Sequence, residues 1–505
     1  MVRKIVCLAL CGIMLALSLA SCGEVAENSA GAGGVPGGDP VTSTILSEEE
    51  QNAINTRITA LKSEVPDGFG GEDFNVLGAK DASFFPTEEN LTGDMESDAV
   101  YKRNLAVEET FDVKIVNTKE ENPNYVMERL DRDINGGIYT FNLVNSGVVS
   151  TGQYIFKKKQ IAPVDTFTHI DLNSPWWQAS LEEYYAIGDR LFFLSGDISP
   201  SYFSAPICIL YSKKLMNDYS IEDDLYSLVN AGAWTIDKMF EKASNIPGGG
   251  DIYRYGNHSD EAPGVALYFG AGFTITKFDG DHYPYLDTKL PEGAYNLMTK
   301  VSEQTGNTSL CYGIDYRASG EFREHHGEEA QELFADDKIL FFFDDGGGIS
   351  ELRELDVSGF GILPIPKASA DQKDYISYAR SEGPAVYFPI NNEDIKMTGI
   401  ITEAMGAYGY RYIRPAFYDQ RLKSKGVYDV ESKAMLDLIY SNQVYDLYDM
   451  YGQGTYEVGN GEIIKMLHTA VFTDPEGIVG KYESAARLAN KMVQNQLIKT
   501  ANSYG

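Results

Sequence analysis

Apolar positions along this chain fall into two regimes. The first is a single block. Ile5–Leu19 is nearly continuous in apolar residues, broken mainly by small ones, and follows Arg3 and Lys4. It is short of the ~20 residues a bilayer-spanning helix needs. A basic start, a short apolar core and small residues at its end predict a secretory signal peptide over residues 1–21. Gly23–Thr44 then carries mostly Gly, Ala, Ser and Pro (GAGGVPGGDP). Such a segment has too little apolar surface to order itself and reads as a flexible tether.

The second regime is periodic. A polar helix is expected over Ser47–Glu64, broken by Val65-Pro66-Asp67-Gly68. Phe74–Gly78 reads as a strand. Ser97–Phe111 reads as a helix, with Val100, Leu105, Val107 and Phe111 at helical spacing. Val113–Val116, Tyr125–Ile134 and Phe141–Val144 follow as strand, helix and strand. This βαβαβ alternation predicts a mostly parallel sheet with helices on its faces. It resumes after a Pro/Trp-rich stretch, with strands at Arg190–Leu194 and Cys208–Ser212. Thr235 is the expected N-cap of a helix over Asp237–Ser244. Residues 245–264 read as a Gly/Pro-rich loop, and Asp279-Gly280 as the turn of a hairpin joining Phe273–Phe278 to Tyr283–Leu286. Helices are expected over Gly293–Glu303, Glu321–Asp336, Thr402–Tyr412, Ser432–Leu447 and Tyr482–Leu497. Strands are expected at Ile339–Phe343 and Gly359–Leu363.

Composition narrows the partners. The 505 residues, 43% of them hydrophobic, suffice for at least two cores. The formal net charge is −32, and near −34 once residues 1–21 are removed, since they hold Arg3 and Lys4 but no acid. That argues against nucleic-acid binding, which needs a basic surface, and disfavours polyanionic ligands. Aromatic residues make up 12%, with 33 Tyr; flat apolar faces with a polar handle suit carbohydrate. Cys208 lies in an apolar strand and reads as a buried hydrophobe. The sequence leaves a Cys208–Cys311 pairing open.

Leu19-Ala20-Ser21-Cys22 resembles a bacterial lipoprotein lipobox. The resemblance implies cleavage before Cys22 and a diacylglycerol on its thiol. The expected location is the extracellular face of the cell membrane, lipid-anchored.

Eight segments in order then resemble the extracellular solute-binding proteins of ABC importers, the sugar-binding group in particular. They are residues 97–115, FNLVNSG (141–147), 161–177 with its Trp-Trp end, 190–216, GAWTIDKMFEKA (232–243), 333–346, FGILPIPK (360–367) and 415–439. Together they run from about Asn75 to the end. The resemblance implies a two-lobed α/β, periplasmic-binding-protein-like fold (type II), with a ligand cleft between lobes joined by three crossings. Residues 1–21 are then signal peptide and 22–69 tether and leading helix. Lobe one is expected at 70–202 and 360–413, lobe two at 206–356 and 416–500, with crossings near 200–206, 356–361 and 412–417.

In such folds ligands bind outside the carboxyl ends of the strands, which selects residues in the loops that follow them. Asp81 and Ser83 follow the first strand. Asn145, Ser146 and Gly147 follow strand 141–144; short polar side chains there can exchange hydrogen bonds with sugar hydroxyls, although the same residues favour turns. Trp176 and Trp177 are stacking candidates, with the alternative that both anchor their loop; Trp234 reads as structural. Asp197 and Tyr202 lie beside the first crossing, and Asp197 is a charged acceptor for hydroxyls. Asp344 and Asp345 precede Gly346-Gly347-Gly348, which permits close backbone approach. Tyr378 and Arg380 lie on the returning segment.

Other chemistries lack their motifs. His325-His326-Gly327-Glu328-Glu329 has the wrong order for a zinc protease. Gly248–Gly250 lacks the Lys-Ser/Thr of a phosphate loop, and no nucleophile elbow is present. The expectation is a monomeric binding protein that is not an enzyme, has no metal or cofactor, and delivers a sugar or oligosaccharide to an ABC permease. A surface glycan-binding lipoprotein without a transporter and a lipid-anchored glycoside hydrolase are the alternatives, and a non-sugar ligand stays open.

Overall fold

The computed structural model describes residues 46–80, 84–86, 91–221, 224–258, 262–307, 309–312, 326–352, 359–379, 384–422, 430–448, 463–464, 466–467 and 477–504. The strands are β1 (Glu72–Ala79), β2 (Val113–Glu120), β3 (Leu143–Gly147), β4 (Ile207–Ser212), β5 (Tyr253–Asn257), β6 (Thr276–Phe278), β7 (Pro284–Leu286), β8 (Ile339–Asp345), β9 (Phe360–Leu363), β10 (Ser377–Tyr378), β11 (Pro384–Tyr387) and β12 (Gln443–Val444).

Two four-stranded sheets organise the chain. The first has the order β11-β3-β1-β2. Its β1, β2 and β3 are parallel, and β11 runs antiparallel beside β3. The helices Met95–Phe111 and Pro123–Asn135 are the crossovers that parallel pairing requires. The second sheet has the order β5-β8-β4-β9, with β4 antiparallel to both neighbours. Its β8 begins Ile-Leu-Phe-Phe-Phe, and all five side chains are buried. That unbroken apolar run marks a strand covered on both faces. Phe341 and Phe343 enter the larger core and Phe342 the smaller one behind the sheet. Burying each stabilises the fold by about 1.5–3 kcal/mol.

The elements between β1 and β3 form where the sequence places them, and Thr235 caps helix Ile236–Ala243 by accepting from the Lys238 amide at 3.2 Å. Four segments differ. β5 forms inside the expected loop 245–264; Gly256 there packs directly against Ile339, where a Cβ would be crowded. Arg190–Leu194 contributes only isolated bridges, Leu194 to Val386 at the edge of the first sheet and Arg190 to Ile187. The expected helix 402–412 is the middle of a 28-residue helix, Ile395–Leu422, that continues through Pro415. Ser432–Leu447 divides into helix Val430–Ser441 and β12, which pairs with β10.

The chain passes between the sheets at 200–206, where Pro200–Ser204 forms a 3-10 turn. Phe360–Leu363, expected at the return to lobe one, instead pairs with Ile209–Ser212 in the second sheet. The return lies further on, where Ala379 bridges Pro206 just before β11. The long helix makes the third passage: its Ile413 and Phe417 join the second core, where Phe417 stacks on Phe203 at 4.4 Å. The C-terminal segment turns back to the first lobe, with Thr500 Oγ1 donating to the Phe156 carbonyl at 2.9 Å. Among the described residues, no helix is long and apolar enough to cross a membrane.

Candidate functional site

Register places the carboxyl ends of both sheets at the crossings. β11 begins opposite Gly147, the last residue of β3, and β4 begins opposite Asp345, the last residue of β8. Those two starts are joined to the paired residues Ala379 and Pro206. A helix follows each central strand at once, Val148–Phe156 after β3 and Gly346–Glu351 after β8. The second helix start is pressed against the Phe203 carbonyl of the first crossing, where a Cβ at Gly346 would overlap it.

On the first sheet, Asn145 and Ser146 are buried within β3. Asn145 Nδ2 donates to the Ala385 carbonyl at 3.4 Å, while its Oδ1 has no partner among the described residues. Ser146 Oγ donates to the Pro123 carbonyl at 3.4 Å. Asp81, Ser83, Arg380 and Cys22 lie outside the described residues.

At the crossing, Asp197 serves the fold. It is 1% exposed and both its oxygens are taken by Arg414, Nε to Oδ1 at 2.8 Å and Nη2 to Oδ2 at 2.7 Å. The acceptor expected for sugar is instead half of a bidentate pair tying the first passage to the third. Burial pushes its carboxyl up, against the pull of Arg414. Arg414 also lies over the Tyr410 ring at 4.5 Å, and Tyr410 donates to Glu50 of the leading helix at 2.6 Å. Tyr202 is buried in the smaller core, and burial pushes its hydroxyl up.

Trp176 and Trp177 are corrected likewise. Both rings are buried against Gly406 of the long helix, and neither presents a stacking face. Trp177 Nε1 donates to Glu403 Oε2 at 2.8 Å. Glu403, fully buried, also accepts from Arg57 at 2.9 Å and Ser174 at 3.2 Å, so the leading helix, the Trp loop and the long helix share one carboxylate. Trp234 is buried and donates to the Pro364 carbonyl at 3.0 Å, the structural role expected of it.

On the second sheet, Asp344 is 1% exposed and lies 3.0 Å from His258 Nδ1. Asp345 Oδ1 accepts from the amides of Gly347 at 2.8 Å and Gly348 at 3.0 Å, capping the helix that follows. Tyr378 is buried and stacks on Phe269 with centroids 4.6 Å apart, which takes one of its faces. Cys208 and Cys311 are both buried, and no disulfide joins them.

Sequence reasoning missed His258 because strand β5, which delivers it, lies in a segment read as loop. Arg414 was missed as well, because nothing local to it signals the buried acid it meets 217 residues away in sequence. A hollow of about 470 Å³ opens at the opposite end of the second sheet, lined by Tyr253, Tyr312, Glu329, Asp336 and Lys338 among others. No group of three His, Cys, Asp or Glu side chains among the described residues is placed to hold a metal ion.

No family model and no curated protein matches the chain. Its fold is that of several solved binding proteins. The galacto-N-biose/lacto-N-biose I-binding protein of a Bifidobacterium longum ABC transporter, in complex with lacto-N-biose, is 12% identical with a TM-score of 0.54, over 85% of this chain and 99% of that one. A cyclo/maltodextrin-binding protein with maltotetraose is 15% identical at 0.54, over 85% and 98%. UgpB from Mycobacterium tuberculosis, with glycerophosphocholine, is 11% identical at 0.53, over 85% and 99%. The chain therefore has the two-lobed α/β fold of these proteins.

Proposed function

We propose that this chain is a solute-binding protein of an ABC importer, that it captures a sugar or oligosaccharide between its lobes, and that it delivers it to a permease. The observation that carries the reading is the convergence of both sheets' carboxyl ends on the inter-lobe crossings. Each end keeps a buried acceptor oxygen without a partner among the described residues, Asn145 Oδ1 and Asp344 Oδ2. Acceptors are what a ligand rich in hydroxyl donors requires, and a formal charge of −32 disfavours an anionic one. Lobe closure about the ligand is a hinge motion. The proteins of like fold whose ligands are lacto-N-biose and maltotetraose support the sugar class.

Isothermal calorimetry against maltose, maltotetraose, lacto-N-biose and β-1,6-galactobiose tests it. One-to-one binding without product release supports the reading. Silence across the panel counts against a sugar, and released product would move the assignment to a glycoside hydrolase. The lipid on Cys22 belongs to the same proposal. One acyl chain holds a protein to a membrane only marginally and a second makes anchoring stable. Cys22→Ser should release the protein from cells; continued membrane retention would refute the anchor.

A further inference from the structure

Asp344 has two unequal oxygens. Oδ1 accepts from the Asp345 amide at 2.8 Å and faces His258 Nδ1 at 3.0 Å. Oδ2 is equally closed off and has no partner among the described residues. The start of the next helix is pressed against this carboxylate, since a Cβ at Gly348 would overlap it. A buried polar atom left unsatisfied costs about 1–3 kcal/mol, more when charged, and such atoms call for a functional explanation. This one lies at the carboxyl end of a central strand, beside the crossing.

We propose that Asp344 Oδ2 accepts a hydroxyl of the bound sugar, and that His258 is its positioning residue, holding Oδ1 and keeping the carboxylate ionised, so that ligand binding is linked to a proton. This deepens the sugar-binding reading and rests on it. The ligand class it selects is a neutral or amino-bearing polyol that donates to a carboxylate.

The groups around the pair set the sign. Burial pushes the Asp344 carboxyl up to about 6; the His258 hydrogen bond and charge pull it back, and Asp345 pushes it further. Cys208 lies across the ladder, and Gln331 Nε2 lies 3.4 Å from His258 Nδ1. Acidification through that range protonates Asp344 and removes a charge-assisted bond, roughly twice as strong as a neutral one. Affinity therefore falls as pH falls. Removing His258 raises the carboxyl and moves the fall to higher pH.

Calorimetry between about pH 5 and pH 8, with the tightest binder among maltose, maltotetraose, lacto-N-biose and β-1,6-galactobiose, tests this on the intact protein. Wild type should weaken on acidification. Asp344→Asn should bind roughly tenfold more weakly near pH 7.5, with a flat pH profile. His258→Gln should keep most of the neutral-pH affinity but lose it at higher pH than wild type. Asp344→Asn with wild-type affinity, or a fall parallel to wild type, overturns the inference and leaves the sugar reading standing. No binding by wild type to any of the four overturns both. If Asp344→Asn does not fold, the His258→Gln profile decides alone: a displaced fall supports the proposal and an unchanged one overturns it.

Discussion

Replacing Arg414 with Met strips Asp197 of both guanidinium hydrogen bonds. Asp197 is 1% exposed, and its bonds to Arg414 measure 2.8 and 2.7 Å. Removing one member of a buried pair costs about 3–5 kcal/mol, because the other charge stays buried and unpaired. Protonation sets a ceiling. A carboxyl with an ordinary pKa of about 3.9 costs about 4 kcal/mol to neutralise at pH 7 and about 1.5 kcal/mol at pH 5, at 1.36 kcal/mol per pH unit. Arg414→Met should therefore lose about 3–4 kcal/mol at pH 7. The sign is fixed by burial, which already raises this carboxyl in the wild type while Arg414 opposes it. Without Arg414 the folded-state value rises further above the unfolded one. Its contribution is then fully present below the unfolded value and lost as pH climbs through the folded one. The gap to wild type should narrow on acidification. Urea unfolding at pH 7 and pH 5 measures it, and Asp197→Asn with Arg414→Met should recover most of the loss. A gap below about 1 kcal/mol at pH 7, or one that does not change with pH, would refute the reasoning.

Three further outcomes are expected. Trp177→Phe keeps an aromatic side chain, smaller than the indole, but removes the donor to Glu403, and should cost at least about 1–3 kcal/mol in urea unfolding. Asp446→Ala leaves the Ile275, Thr276 and Tyr448 amides without their carboxylate; a melting temperature within a degree or so of wild type would contradict that bonding. Cys208 and Cys311 are buried, and burial pushes the Cys311 thiol up. Both should resist a thiol reagent in the native protein and react in denaturant, as Ellman titration would show.

The alternation of strands and helices was legible because β1, β3 and β8 carry apolar runs with few competitors. β5 was not. Tyr-Arg-Tyr-Gly-Asn has no apolar run of its own, and it becomes a strand because β8 offers it a parallel ladder. The helix was expected to stop at Tyr412, yet packing on both cores carries it on through Pro415. The site was legible as a place, since strand ends can be found from the pattern. Roles within it were not. Asp197 and Asp344 both read from the sequence as acids at strand ends, and only the arrival of Arg414, more than two hundred residues later, separates a structural acid from one with an oxygen that has no partner among the described residues. Trp176 and Trp177 read either as stacking candidates or as anchors of their loop, and the long helix, with Gly406, decides for the second by covering both.

The central claim is that a sugar sits between the carboxyl ends of β3 and β8, and a crystal structure with the tightest-binding saccharide tests it most directly. The account predicts sugar hydroxyls on Asn145 and Asp344. A sugar in the hollow beside Tyr253 and Tyr312, at the far end of the second sheet, would contradict it.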